Sequence, residues 1–119
     1  MNEMEEMNKL AAYLKEHGYN YSRCKRSTET QEIVLKQMYP DATWGEQIIV
    51  YSEDGMRLWD AICGYGSYGY EQGLLEIMGD TVVRPCDGDT VAGYLTASDI
   101  IYRLEHKEYG YEKTSGQAE

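Results

Sequence analysis

Phenylalanine is missing from this 119-residue chain, proline and histidine occur twice each, and no apolar run is long enough to span a membrane. Without Phe, the large rings are 12 Tyr and 2 Trp, so nearly every ring carries a polar atom that needs a partner when buried. Tyrosines are therefore expected at half-exposed positions. There are two histidines, His17 at the end of a predicted helix and His106 in the tail, so a Cys-His or Ser-His nucleophilic pair would need a long-range meeting, and an enzyme is not expected. Cysteine is scarce too: Cys24, Cys63 and Cys86 are odd in number and too widely spaced for a C-x-x-C unit. They read as reduced thiols, with no metal and no cofactor expected. The N-terminus, "MNEMEEMNKL", is acidic where a secretory signal is basic and then apolar, so the cytoplasm is the expected compartment, away from membranes.

Positive charge is scarce in one region. Residues 41–99 carry eleven acids against Arg57 and Arg84, within a chain of net charge -10. Such a surface repels a phosphate backbone, whose binding rests on Lys and Arg, and direct nucleic-acid binding is not expected. The acids serve solubility in the first instance; a sharper reading is an acidic face, Glu53, Asp54, Asp87 and Asp89, for a basic partner.

What is present marks out an α+β domain over residues 1–105 followed by a polar tail, 106–119, without apolar periodicity. Hydrophobic residues at 42% and a length of one domain are enough for a single core. Met4, Met7, Leu10, Ala11 and Leu14 recur at helical spacing before Gly18, predicting a helix over 3–17. "YNYSRCKR" alternates as a strand. "STETQEIVLKQMYPD" is open between helix and strand, with helix favoured by a Thr28–Gln31 capping box and by Pro40 as a stop. "EQIIVYSEDGMRLWDAIC", residues 46–63, has two β-rich runs around Asp54-Gly55 and predicts a hairpin. Its second arm is apolar on both faces, which suggests an interior strand covered on both sides. Further helices are predicted over 68–78, with Ser67 as N-cap and Gly79 as stop, and over 97–105, where Thr96 caps, Asp99 completes a capping box and Leu95 can staple onto Ile100. The stretch between them, "DTVVRPCDGDTVAGY", reads as a short strand and turn.

The nearest approach to a chemical signature is G-x-G-x-x-G at Gly64, Gly66 and Gly69. In a dinucleotide fold those glycines turn the chain tightly and bring the backbone to a pyrophosphate at a helix N-terminus. Here the preceding strand belongs to a hairpin, the following helix is short, and Asp89 reads as a turn residue rather than a ribose ligand. The plainer reading is a connection that folds Tyr65, Tyr68 and Tyr70 back over the hairpin. The whole segment, Gly64, Tyr65, Gly66, Ser67, Tyr68, Gly69 and Tyr70, is the candidate binding loop.

Other motifs are fragmentary. "PDATWGEQI" resembles half of a metal-dependent nuclease motif, but Ile48 stands where a lysine is needed; "DGD" at Asp87–Asp89 lacks the remaining ligands of a calcium loop. Asp60 stands out because it shares a row with Leu58 and Ile62. A carboxylate there needs donors, and the expectation is that it pins the glycine loop through backbone amides and tyrosine hydroxyls.

The strings "WDAICGYGSYGYEQGLLEIMG" and "GYLTASDII" resemble small proteins of gut Firmicutes and their phages and mobile elements, which share a Trp-Asp strand, a G-S-Y-G turn, a G-L-L-E helix and a G-x-L-T-A-x-D helix start. The likeness covers roughly residues 46–105. It implies one folded unit and a mobile-element setting, and it brings no activity and no catalytic residue. The leading expectation is a non-enzymatic acidic interaction protein that binds a basic host protein; the rival is a small-molecule or nucleotide binder using the Gly64–Gly69 loop.

Overall fold

The computed structural model describes residues 4–83, 88 and 90–106. Helix α1 (Glu5–Glu16) leads into strand β1 (Asn20–Lys25), helix α2 (Glu29–Met38), strands β2 (Glu46–Tyr51) and β3 (Arg57–Cys63), a 3-10 turn (Tyr70–Gln72), strands β4 (Leu75–Met78) and β5 (Val91–Leu95), and helix α3 (Ala97–Glu105). The five strands form one sheet in the order β1-β2-β3-β4-β5, and every neighbouring pair is antiparallel. This is the α+β class that the patterning predicts, with the hairpin over 46–63 at its centre.

Alternation decides which side of the sheet is covered. Ile48 and Val50 of β2, Trp59, Ala61 and Cys63 of β3, Leu75 and Ile77 of β4 and Ala92 of β5 are buried on one face. Met7, Leu10, Ala11 and Leu14 of α1 and Ala97, Ile100 and Leu104 of α3 pack onto them. Each fully buried aliphatic side chain stabilises by roughly 1.5 to 3 kcal/mol. The two helices run in the same direction and are tied at both ends: the Ala97 amide donates to Glu6 Oε1 at 2.7 Å, and the Tyr13 hydroxyl donates to Glu105 Oε2 at 3.0 Å.

Among the described residues the opposite face has no second layer, which corrects the expectation of a strand covered on both sides. β3 is interior to the sheet, yet Leu58 is 39% exposed, and Asp60 and Ile62 are only partly buried. A second correction concerns 68–78. Gly69 and Gly73 both adopt left-handed backbone, at φ 91° and 76°, which stops a helix at the single 3-10 turn. Beyond them, Leu75 and Ile77 bury while Glu76 and Met78 do not, a period of two that pairs with β3 as a strand. Ser67 therefore caps no α-helix, and Gly79 opens a turn in which its carbonyl accepts from the Val82 and Val83 amides. In the stretch read as a short strand and turn, the strand is β5; Arg84, Pro85, Cys86, Asp87 and Asp89 lie outside the described residues, as does the tail beyond His106.

Tyrosines follow their polar atoms: among the described residues none is buried. Cys24 is exposed and Cys63 buried. Both helix starts form as expected. Thr28 and Gln31 complete a capping box on α2, and Thr96 and Asp99 do the same on α3.

These two caps should fail differently. α3 contributes to the core, whereas α2 buries only Leu35. Thr96→Ala is expected to lower global stability by about 1 kcal/mol in chemical denaturation. Thr28→Ala should act mainly as local fraying, visible as faster amide exchange in α2 with a smaller change in the global transition.

Candidate functional site

At one end of the sheet, residues 39–45 and 64–73 meet beside α2. There, the segment leading into β2 passes across the segment leaving β3. A Cβ on Gly45 would lie 1.8 Å from the Cys63 carbonyl oxygen, and one on Gly64 would lie 1.9 Å from the Trp44 carbonyl oxygen. The Tyr65 amide donates to the Thr43 carbonyl at 2.8 Å, and the Tyr70 hydroxyl accepts from the Thr43 amide at 3.0 Å. Arg26 reaches across both strands of the crossing, donating to the Trp44 carbonyl at 3.0 Å and the Tyr65 carbonyl at 3.3 Å.

The second side of this end is α2. Glu32 Oε1 accepts from the Trp44 amide at 3.1 Å, and Lys36 donates to the Ala42 carbonyl at 2.7 Å while pairing with Glu32 at 3.3 Å. Burial alone would raise the Glu32 carboxyl, but hydrogen bonds from Thr43, Trp44 and Lys36 outweigh it and hold the group below its ordinary value. The chain from α2 to the glycine loop is thus continuous: Glu32 and Lys36 fix residues 42–44, and residue 43 fixes Tyr65 and Tyr70.

Between the two walls lies a groove of about 490 Å³, whose lining includes Tyr39, Pro40, Asp41, Tyr65, Tyr70 and Glu71. Tyr39 and Tyr65 stack at 5.5 Å between ring centroids, with 24° between planes, and Trp44 meets Tyr65 edge-on at 5.4 Å. The hydrogen bond between the Tyr39 and Tyr65 side chains raises the Tyr65 phenol above its ordinary value, so its ring is neutral at physiological pH. Asp41 and Glu71 are both exposed at the groove's border. A cavity of about 530 Å³ is lined by residues of β1, α2 and β2, among them the Glu32–Lys36 pair and Glu46, which pairs with Arg23 at 2.6 Å.

The candidate loop divides between two places. Tyr65 and Tyr70 face the groove, while Tyr68 lies across Gly93, where an added Cβ would sit 2.4 Å from Tyr68 Cβ, and stacks on Tyr94. Gly66 is exposed at the loop's tip. The amides of Gly64, Tyr65, Ser67, Tyr68 and Tyr70 all donate to acceptors within the protein. Tyr68 donates to a carboxylate, Glu76 Oε1, at 2.8 Å, and no α-helix follows. These features oppose a phosphate, which needs free amides at a helix N-terminus.

Ser67 is the residue that closes this loop on itself. Its buried hydroxyl accepts from the Gly64 amide at 3.1 Å and donates to the Gly64 carbonyl at 2.7 Å. Asp60, expected in that role, has other partners: it accepts from Gln47 Nε2 at 2.6 Å and pairs with Arg57 at 3.6 Å on the open face of the sheet. The pleat explains the correction, since Asp60 points away from the helices, towards two polar neighbours on the same face.

Of the predicted acidic face, Glu53 and Asp54 lie within the described residues. Glu53 and Asp54 sit in the hairpin turn, exposed, at the opposite end of β2 and β3 from the groove, roughly 20 Å away for strands of this length. Asp54 accepts from the Ser52 hydroxyl, which with the Met56 amide holds its carboxyl below the ordinary value. Asp87 and Asp89 lie outside the described residues. Among the described residues, no group of three or more His, Cys, Asp or Glu is placed to hold a metal ion, and no helix is long and apolar enough to cross a membrane. Of the nuclease-like string, Asp41 is at the groove, Glu46 is paired with Arg23 and Ile48 is in the core.

Tyr39, Pro40, Asp41, Ala42, Glu71 and Gly73 are the groove residues that sequence reasoning missed. Their only local signal is a ring, a proline and an acid just past a helix. No protein-family model, curated protein or solved structure matches the chain.

Because the Glu32 carboxyl is lower in the folded chain than in the unfolded one, its contribution is present above the unfolded value and lost as pH falls through the folded one. Glu32→Gln should therefore be less stable than the parent at neutral pH. Denaturation across pH should show the gap closing as pH falls from about 5 towards 3; a gap constant with pH would contradict the role given to Glu32.

Proposed function

We propose that the protein is a non-enzymatic interaction module that binds a basic protein partner through the groove between α2 and the glycine loop. The observation that carries this reading is the groove's composition: three tyrosines flanked by two exposed carboxylates, with no Lys or Arg in its lining among the described residues. Tyrosine gives large contact area at low entropic cost, and loops held on a rigid scaffold are where binding residues concentrate. The mobile-element setting, and hence a host protein as partner, rests on the resemblance over residues 46–105. The net charge of -10 favours basic partners at long range.

A second reading, a small-molecule binder, draws on the groove's volume of about 490 Å³, within the range of about 300 to 1,000 Å³ found for ligand pockets. Fluorescence anisotropy with basic and acidic peptide panels, run beside thermal shift with nucleotides and metabolites, separates the two. The proposal expects basic peptides to bind, more weakly as added salt shortens the screening length. A nucleotide or metabolite stabilising the domain by about 2.7 kcal/mol at a hundredfold excess over its Kd, with no basic peptide bound, would overturn it.

A further inference from the structure

Resting on that reading, we infer that the groove takes an arginine side chain of the partner, its guanidinium lying on the exposed face of the Tyr39 ring, which Tyr65 backs, and hydrogen-bonded to Asp41 and Glu71. Four observations converge on arginine. The first is the absence of an internal counter-ion. Glu32, Glu46 and Asp60 are each ion-paired with a Lys or Arg of the chain, whereas Asp41 and Glu71 have no partner among the described residues. Their charge is left for a ligand.

The second is ring geometry. Tyr39 is 50% exposed and stacks with Tyr65 in the groove. A planar guanidinium can lie on such a face while its edge donates to carboxylates; an ammonium is a compact, strongly hydrated charge that does neither as well. The third lies on the far side of the same aromatic cluster, where Arg26 already stands 6.0 Å over the Trp44 ring while donating to two carbonyls. The chain's own arginine thus combines a cation-π contact with hydrogen-bond donation at this end of the sheet.

The fourth is an exposed apolar surface of α2 that runs up to Tyr39. Val34 and Met38, one helical turn apart on α2, are 49% and 62% exposed, and Met38 adjoins Tyr39. This apolar stripe gives the residue flanking the arginine a place to bury, so a short segment gains more than one anchor.

The test uses capped hexapeptides with one central arginine beside a leucine, and the same peptides with lysine or with uncharged, isosteric citrulline, titrated by NMR into the full chain. Arginine should bind best, lysine roughly threefold to thirtyfold more weakly, as expected from losing a cation-π stack, and citrulline weakest. Tyr65→Leu should abolish the preference for arginine over lysine. The double variant Asp41→Asn, Glu71→Gln changes two exposed, unpartnered side chains and so preserves the fold; it should weaken arginine binding and flatten its salt dependence. Equal binding of lysine and arginine peptides, or arginine binding unmoved by the double variant, overturns the inference. If basic peptides still bind but respond only to Glu53→Lys and Asp54→Lys, the basic-partner reading survives and the groove assignment falls. If no basic peptide binds, both fall.

Discussion

The backbone crossing at Gly45 and Gly64 is the constraint on which the rest of this end of the molecule depends. Two chain segments approach so closely that a methyl group on either glycine would overlap a carbonyl of the other, at 1.8 and 1.9 Å. Where they meet, the Tyr65 amide donates directly to the Thr43 carbonyl, and Arg26 bridges the two segments by donating to the Trp44 and Tyr65 carbonyls. The glycines of the loop thus serve backbone approach, the same property that a nucleotide fold uses for a phosphate, but here the approaching group is the protein's own chain. Tyr65 and Tyr70 reach the groove because the crossing puts them there.

The sheet gives the crossing a rigid base. Covering one face with α1 and α3 places nearly all of the core on that side, so the interior strands β2 and β3 are held by packing on one side and by strand pairing on both edges. α2 stands apart from this core. It buries Leu35 and is fastened otherwise by Glu32 and Lys36 to residues 42–44. Polar fastening of that kind is worth less than a buried apolar face, and it sets the groove between a firm wall and a looser one. That arrangement suits a site which must admit a partner, since binding regions are drawn from the less stable parts of a fold.

Much of the fold was legible because its signals are local. The hairpin, the capping boxes at Thr28 and Thr96 and the apolar stripe of α1 each sit within a few residues of sequence and formed as expected. The stretch 68–78 was misread because "GLLEIMG" is too short to reveal its period, and the choice of strand was made by pairing with β3. Asp60 was placed on the correct strand with the wrong partners: its row was readable, but which face the helices cover is a tertiary fact. The candidate site was half legible. Tyr65 and Tyr70 belong to the glycine stretch that drew attention, whereas Tyr39 and Asp41 come from a segment some 25 residues earlier and join them only through the crossing.

The most direct measurement is the stability of three single alanine variants by chemical denaturation. Gly64→Ala and Gly45→Ala place a methyl group against backbone that cannot turn aside, and each should cost at least about 3 kcal/mol and disorder the aromatic groove, seen as loss of near-ultraviolet circular dichroism. Gly66, at φ 88° with open space around it, is the control: Gly66→Ala meets only the left-handed backbone penalty of about 1 to 2 kcal/mol. The account predicts Gly64 and Gly45 well above Gly66. Gly64→Ala within about 0.5 kcal/mol of the parent, with the aromatic signal intact, would contradict it.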